Sequence, residues 1–375
     1  MVYEINLWDL QNEKIKIRFK KEIRENFFSQ VQKIFNNHKE ISDYLGISLR
    51  RFYRLKSGKS SIPLIFVIKI FIKFLPKIKI MYQKKIESNL EEIKFGNNPK
   101  AKSIKNPRFP IKFSLQLARV AAHIVGDGGI RRTDTDVTVY YANKNSSLIY
   151  QFKNDVHDIF GEIDIKEYEY KGTTIVILPS IVGFVLTKFF GEQQNDMKHI
   201  PEIIFNSKKE IQAIFLRSLY DDEGSVLVKS NCILLKMTSK NIIEDCHKIL
   251  KKFSIIAGNI KFKDFYNKKK TYHFYISGKP DVEKFGKYIN FEHDSKIKQL
   301  NNLLSNYKKE GFKQGDTRER IFEHIQNNDG ITVKKLSRKL RIPSSAIRVH
   351  TRKMKHENRI TTIKNKHEEL FFENL

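Results

Sequence analysis

The chain is short of cysteine and of acid, and each shortage narrows the class of protein. Only Cys232 and Cys246 occur in 375 residues, so neither a disulfide framework nor a zinc cluster can be built. A reducing compartment fits, and the expectation is a cytoplasmic, nucleoid-associated protein. Long apolar runs are missing too. The longest, Ile62 to Leu75, is interrupted by Lys69 and Lys73 and falls short of the about 20 residues a bilayer span needs. No charged-then-apolar leader follows Met1, so no membrane partner or secretion is expected. Acid is outnumbered: 42 Asp and Glu against 70 Lys and Arg leave a net charge of +28. That excess calls for a polyanionic partner, nucleic acid first and an anionic membrane surface second. The abundance of Lys, Ile and Asn also fits an AT-rich genome, so charge by itself does not decide.

Two short stretches organise the rest. One runs Val120-Ala121-Ala122-His123-Ile124-Val125-Gly126-Asp127-Gly128, the other Leu216-Arg217-Ser218-Leu219-Tyr220-Asp221-Asp222-Glu223-Gly224. Each reads as an apolar helix that stops at an acid followed by glycine. Ala118, Ala122 and Gly126 recur every four positions, so they line one stripe and let a partner helix come close. Ser218 and Asp222 occupy the matching stripe on the second. If the helices cross there, Asp127 and Glu223 meet at two adjacent helix C-termini, where both macrodipoles are already negative. Like charges in one site raise a pKa unless a cation settles between them, and oxygen ligands suit Mg²⁺ or Mn²⁺. Gly128 and Gly224 are expected just past the helix ends, where φ is often positive.

The two stretches resemble the paired LAGLIDADG, or dodecapeptide, motifs of homing endonucleases, the second as Leu216 to Gly224, the first in a divergent form ending Gly126-Asp127-Gly128-Gly129. The resemblance covers roughly residues 113–305. It implies that Asp127 and Glu223 are metal ligands and catalytic carboxylates. It also implies that Lys198 and Lys296 are catalytic lysines beside the metals, stabilising developing phosphate charge. In the first copy, Val125 stands where the family often has an acid and His123 where it prefers Leu.

The flanks repeat as well. After each motif helix come two strands, a helix, two strands and a helix, so the expected class is α+β, a tandem αββαββα body with pseudo-twofold symmetry and saddle-like antiparallel sheets. A monomer suffices for that. The expected division is 113–207 for the first repeat and 208–305 for the second, with linkers at 96–112 and 306–316. The first linker carries Pro99, Pro107 and Pro110. On the exposed sheet faces, Arg131, Arg132, Lys229, Lys236, Lys261 and Lys263 are candidates for contact with DNA.

Residues 1–95 are expected to hold a helix-turn-helix, read from Ile41, Leu45, Gly46, Ile47, Phe52 and Leu55, with Ser48 capping the second helix. Arg50, Arg51, Arg54 and Lys56 put cations on its outer face, where a recognition helix meets a groove. Any helical hairpin would suit the same spacing. Residues 317–375 resemble a winged helix, with Thr332 capping a helix to Leu340, Pro343 opening another, and two strands at the tail. Arg348, Arg352 and Lys353 would face DNA, unless the wing docks protein instead.

The expected function is site-specific cleavage of double-stranded DNA. A non-catalytic DNA-binding regulator that reuses the fold and a maturase that binds structured intron RNA are the alternatives. Met1 and Asn374-Leu375 offer neither the nucleophile nor the junction of self-splicing, so a free-standing protein is expected, with excision from a host left open.

Overall fold

The computed structural model describes residues 3–74, 79–96, 102–133, 136–191, 199–264, 270–307, 316–340, 342–365 and 368–374. It divides into two compact units, Met1–Leu227 with Cys232–Leu300, and Val228–Asn231 with Asn301–Leu375.

In the larger unit the two motif helices, Leu115–Val125 and Lys209–Glu223, form the centre. Ser114 caps the first, its hydroxyl accepting the Leu117 N–H at 3.2 Å. This helix is buried on nearly all sides from Leu117 to Val125, which is why its sequence is apolar all round instead of on one stripe. The first repeat continues with strands Gly128–Arg132 and Val137–Asn143, helix Ser146–Phe160, strands Lys166–Tyr170 and Thr173–Leu178, and helix Ser180–Phe190. The second has strands Gly224–Leu227 and Cys232–Met237, helix Lys240–Lys252, strands Lys261–Asp264 and Lys270–Ser277, and helix Lys279–Tyr288.

Each repeat makes a four-stranded antiparallel sheet with the same order. In both, the strand leaving the motif helix is at one edge, its hairpin partner is next, and the fourth and third strands follow. The duplicated αββαββα architecture expected from the sequence is thus the observed one. Alternation places Val139, Tyr141 and Val176 in the first sheet, and Ile233, Leu235, Phe274 and Ile276 in the second, against the helices.

Three sequence expectations need correction. Residues 96–112 are not a bare linker: Ser103–Lys105 and Ile111–Lys112 are strands. The first of these joins a five-stranded antiparallel sheet ordered Ile62–Pro63, Ile15–Phe19, Leu90–Phe95, Ser103–Lys105, Glu162–Ile163. The segment 1–95 therefore shares a sheet with the first repeat instead of standing apart. The physical cause lies in Ile15, Ile17 and Phe19, an apolar alternation that is wholly buried and demands a partner sheet. Finally, Gly128 and Gly224 do not have positive φ; Gly224 is extended at φ −83° and ψ 158°. Their role is room. A Cβ on Gly224 would stand 2.6 Å from the Tyr220 carbonyl oxygen, and one on Gly128 2.6 Å from that of Tyr140.

Helices His38–Leu45 and Leu49–Lys56 form a hairpin whose first helix ends at Gly46 in the left-handed region, φ 68°. Ser48 caps the second, accepting the Arg51 N–H at 3.3 Å.

The smaller unit holds helices Asp316–Gln326, Val333–Leu340 and Ser344–His356, and a sheet in which Glu368–Glu373 lies between Ile331–Thr332 and Ile360–Asn365. Ile321, Ile325, Leu336, Ile347, Met354 and Phe371 make its core. The Thr332 hydroxyl accepts the Lys335 N–H, as the cap reading required. The third strand, Ile331–Thr332, was not legible, being too short for a pattern. Most of the second expected linker, 308–315, lies outside the described residues. Among the described residues no helix is long and apolar enough to cross a membrane.

Candidate functional site

The motif helices touch through the small residues. Ala118, Ala122 and Ser218 are fully buried, and a Cβ on Gly126 would stand 2.9 Å from Asp222 Oδ2. That contact sets Asp222 in the stripe position the spacing assigned to it. It also brings a carboxylate into a place that small side chains normally fill, and a shielded charge requires partners.

Asp222 has them. Its Oδ2 lies 2.9 Å from His123 Nδ1, its Oδ1 accepts the Tyr141 hydroxyl at 2.8 Å, and the Asn143 amide donates to Oδ1 at 3.2 Å. The His123 and Asp222 side chains have no solvent exposure. Burial alone would push the imidazole pKa down. The Asp222 carboxylate, by charge and by hydrogen bond, outweighs it with help from Asp221 and Asp155, and the net shift is upward.

Asn143 also donates to Asp127 Oδ2 at 2.9 Å, so one amide links the two carboxylates. Asp127 lies just beyond its helix, which ends at Val125, whereas Glu223 is the last residue of the second helix. Burial first, and then the Asp222 charge, raise the Asp127 pKa to about 6, against the pull of Lys296 and His123. Asp221 also rises to about 6 through burial, although the N–H groups of Glu292 and His293 donate to it at 3.0 to 3.1 Å. Those bonds pin the chain just before helix Asp294–Asn306 and so place Lys296.

Lys296 stands by the acids and caps the end of the second motif helix. Its ammonium donates to the carbonyls of Tyr220 at 3.0 Å, Asp221 at 2.6 Å and Gly224 at 2.7 Å, which uses three N–H bonds on the end of the second motif helix. Burial lowers its pKa, while Asp221, Asp222, Asp127 and Glu223 all oppose that shift by charge. One ammonium is therefore electrostatically common to both predicted carboxylates. Lys198 lies outside the described residues. No group of three or more His, Cys, Asp or Glu able to hold a metal ion is present among the described residues.

Around this centre, Arg119 makes a two-point bond to Asp155 at 2.7 and 2.8 Å. Arg119 and Arg217, one from each motif helix, both reach Glu292 at 3.6 Å. Sequence reasoning missed Asn143, Tyr141, Asp155 and Glu292, because nothing in their local spacing says which helix end they will face. His123 and Asp222 were the available signal, a polar residue in each of two otherwise small or apolar positions.

The basic candidates divide by strand parity. Lys236, Lys261 and Lys263 share the open face of the second sheet, where the register pairs both Lys236 and Lys261 with His273. Arg131 lies on the open face of the first sheet beside Thr138, while Arg132 pairs with Val137 on the opposite face. Lys229 is exposed but sits in the short 3-10 helix Val228–Ser230, outside the paired strands. Arg50, Arg51 and Arg54 are exposed and Lys56 half-buried. Arg50, Arg54 and Lys56, with Leu49 and Tyr53, line an open groove of about 890 Å³. Lys56 also donates to Gln32 at 3.2 Å. Arg348, Arg352 and Lys353 are all exposed on the third helix of the smaller unit.

Residues 210–290 match the model of the LAGLIDADG-like domain, and residues 315–361 that of the winged helix-turn-helix DNA-binding family. Among curated relatives, the glutamine–fructose-6-phosphate aminotransferase of Methanocaldococcus jannaschii is 25% identical over 310 residues, 79% of this chain and 27% of that protein. The replication factor C small subunit of the same organism is 26% identical over 195 residues, 51% of this chain and 10% of that protein. The chain thus spans about a quarter or less of the length of these relatives. Among solved structures, I-DmoI in complex with DNA and Mn has a TM-score of 0.38 at 16% identity, over 47% of this chain and 96% of that one. Full-length DUF199/WhiA from Thermatoga maritima has a TM-score of 0.36 at 14% identity, over 64% and 90%. The second repeat is a LAGLIDADG-like domain, and the C-terminal unit carries a winged helix-turn-helix.

Proposed function

We propose that the chain binds duplex DNA and cleaves it at a chosen sequence, as a monomer, with Mg²⁺ or Mn²⁺ held by Asp127 and Glu223. The observation that carries this reading is the shared electrostatic site: two helices cross on small residues, Asp127 follows the end of one and Glu223 ends the other, and the charge of Lys296 acts on both. Burial first, and then the neighbouring Asp222 charge, raise Asp127 to about 6, so its ionised form is one that a bound cation would stabilise.

Two carboxylate side chains are the donor type this ion takes. Mg²⁺ is commonly held by one or two carboxylates, with water and substrate phosphate completing the shell. When bound, such an ion supplies a Lewis acid for the phosphoryl oxygens and an activated water. Asn143 orients Asp127 from the side, and Lys296 holds the helix end while adding positive charge near the scissile phosphate. The role proposed for Lys198 rests on its sequence position alone. The open sheet faces, the N-terminal hairpin read as a helix-turn-helix, and the winged unit supply the basic contacts. The names of the relatives share no activity. What the chain has in common with them is therefore a module and not any one of those activities.

One observation favours a second reading, a DNA-binding regulator that does not cut. Lys296 already stands among the four acids and supplies a cation from within the chain. Incubation with a random duplex library and Mg²⁺ separates the readings. Selective new ends mean a nuclease, retention without breaks means a regulator, and preference for structured intron RNA means a maturase. Asp127→Asn and Glu223→Gln are each expected to abolish cutting and spare binding; undiminished cutting in both refutes the assignment.

A further inference from the structure

The two sheets are equivalent in topology and differ in the chemistry of their open faces. In the second, the register sets Lys236, His273 and Lys261 in one row across three strands, with Lys263 two residues along, so a cationic band crosses this face beside the Leu234–Tyr275 pair. His273 responds to that crowding: burial and the three lysines lower its pKa.

The same parity in the first sheet gives a different surface. Tyr168 pairs with Ile175, and Ile177 with both Lys166 and Tyr140, so aromatic and branched side chains occupy the middle. Tyr140 and Tyr168 are 39% and 44% exposed. The Tyr140 ring lies over Gly129, whose Cβ would meet its hydroxyl at 2.8 Å, so the glycine leaves room for the ring to lie flat. Cations stand at the margin, Arg131 on one edge strand and Lys166 on the other, with the Lys166 ammonium 5.8 Å from the Tyr168 ring centre. Val176 and Leu178 are buried on the helix side, so Ile175 and Ile177 are not spare core residues but the alternate, outward set.

We propose that the two halves of the DNA target are read by different chemistry. The first repeat reads its half through apolar contact with thymine 5-methyl groups in the major groove, using Ile175, Ile177, Tyr140 and Tyr168. The second reads its half through phosphates and guanine N7 and O6 acceptors, using Lys236, Lys261 and Lys263. Basic edges around an apolar centre suit a groove lined by phosphates and floored by methyl groups. This inference rests on the duplex-binding part of the function proposed above and is independent of cleavage.

The test uses the full chain in EDTA and the duplexes it selects from a random library. Thymine is replaced by uracil in one half-site at a time, which removes only the methyl group. Binding should weaken about three- to fivefold per contacted thymine in one half and less than twofold in the other. The outward substitution Ile175→Thr with Ile177→Thr keeps strand-forming residues, and it should erase the uracil effect in that half and no other; Tyr168→Thr is the second probe. Conversely, Lys261→Gln with Lys263→Gln should flatten the salt dependence by nearly two phosphate contacts and leave the uracil effect intact. Equal uracil effects in the two halves, or none in either while the duplex is still bound, overturns the proposal. Selection of no duplex at all overturns the DNA-binding reading beneath it.

Discussion

His123 Nδ1 and Asp222 Oδ2 lie 2.9 Å apart across the crossing of the two motif helices, both side chains shut away from solvent. A buried pair of this kind ties the halves of the pseudo-dyad together with a polar clasp where small residues would give plain packing. Removing one partner leaves the other charged or unsatisfied in the core, so Asp222→Ala should cost about 3 kcal/mol or more. The double change His123→Leu with Asp222→Ala should recover most of that loss. Urea denaturation of the two singles and the double gives the coupling, and additive effects would dissolve the clasp.

The same pair sets a pH dependence. His123 is raised above its ordinary value, so its contribution is fully present below the unfolded imidazole pKa and is lost as pH rises through the higher folded one. The clasp should therefore weaken above neutrality. In Asp222→Asn, the slope of stability against pH between 6 and 9 should flatten on this account.

Asp127 is an acid held at a cost. With its pKa raised to about 6, its ionisation favours unfolding: stability present below the unfolded carboxylate pKa is lost as pH rises through 6. Measured in EDTA, Asp127→Asn should be more stable than the parent at pH 8, by about 1 kcal/mol after allowing for solvent screening, and equal to it near pH 4. A destabilised variant at pH 8 would mean that the carboxylate is a structural acceptor and nothing more.

Lys296 bonds three carbonyls at one helix end. Lys296→Met should cost about 2 to 3 kcal/mol by leaving buried acceptors unpaired, and should raise the carboxylate pKa values further. Proton NMR or carboxyl-labelled titration of Asp127 would read the shift. An unchanged Asp127 titration would remove Lys296 from the acid cluster.

Arg119 and Asp155 bind by two parallel hydrogen bonds, Asp155 nearly buried and Arg119 mostly so. Asp155→Ala should destabilise by about 3 kcal/mol. Because Arg119 also reaches Glu292, the same change should loosen the segment that positions Lys296, visible as faster amide exchange at Glu292 and His293.

The sequence by itself determined the duplication and the places of the acids. Apolar helices with small residues every fourth position, each stopping at acid and glycine, carry their meaning in spacing, which is a local property. The order of strands and helices after each motif helix was readable for the same reason, as was the capped helix Val333–Leu340. Alternation and caps are written within one element. Tertiary structure decided what no element contains. It joined residues 1–95 to the first repeat through Ile15–Phe19, and it put Arg131 and Arg132 on opposite faces. It also chose Asp222 as the buried partner of His123 and Asn143 as the amide between Asp222 and Asp127. Lys296 shows the difference most clearly. Its position was legible, but three hydrogen bonds to carbonyls from residues more than seventy positions earlier depend on how two helices are brought together, and long-range closure leaves no periodic trace in the chain.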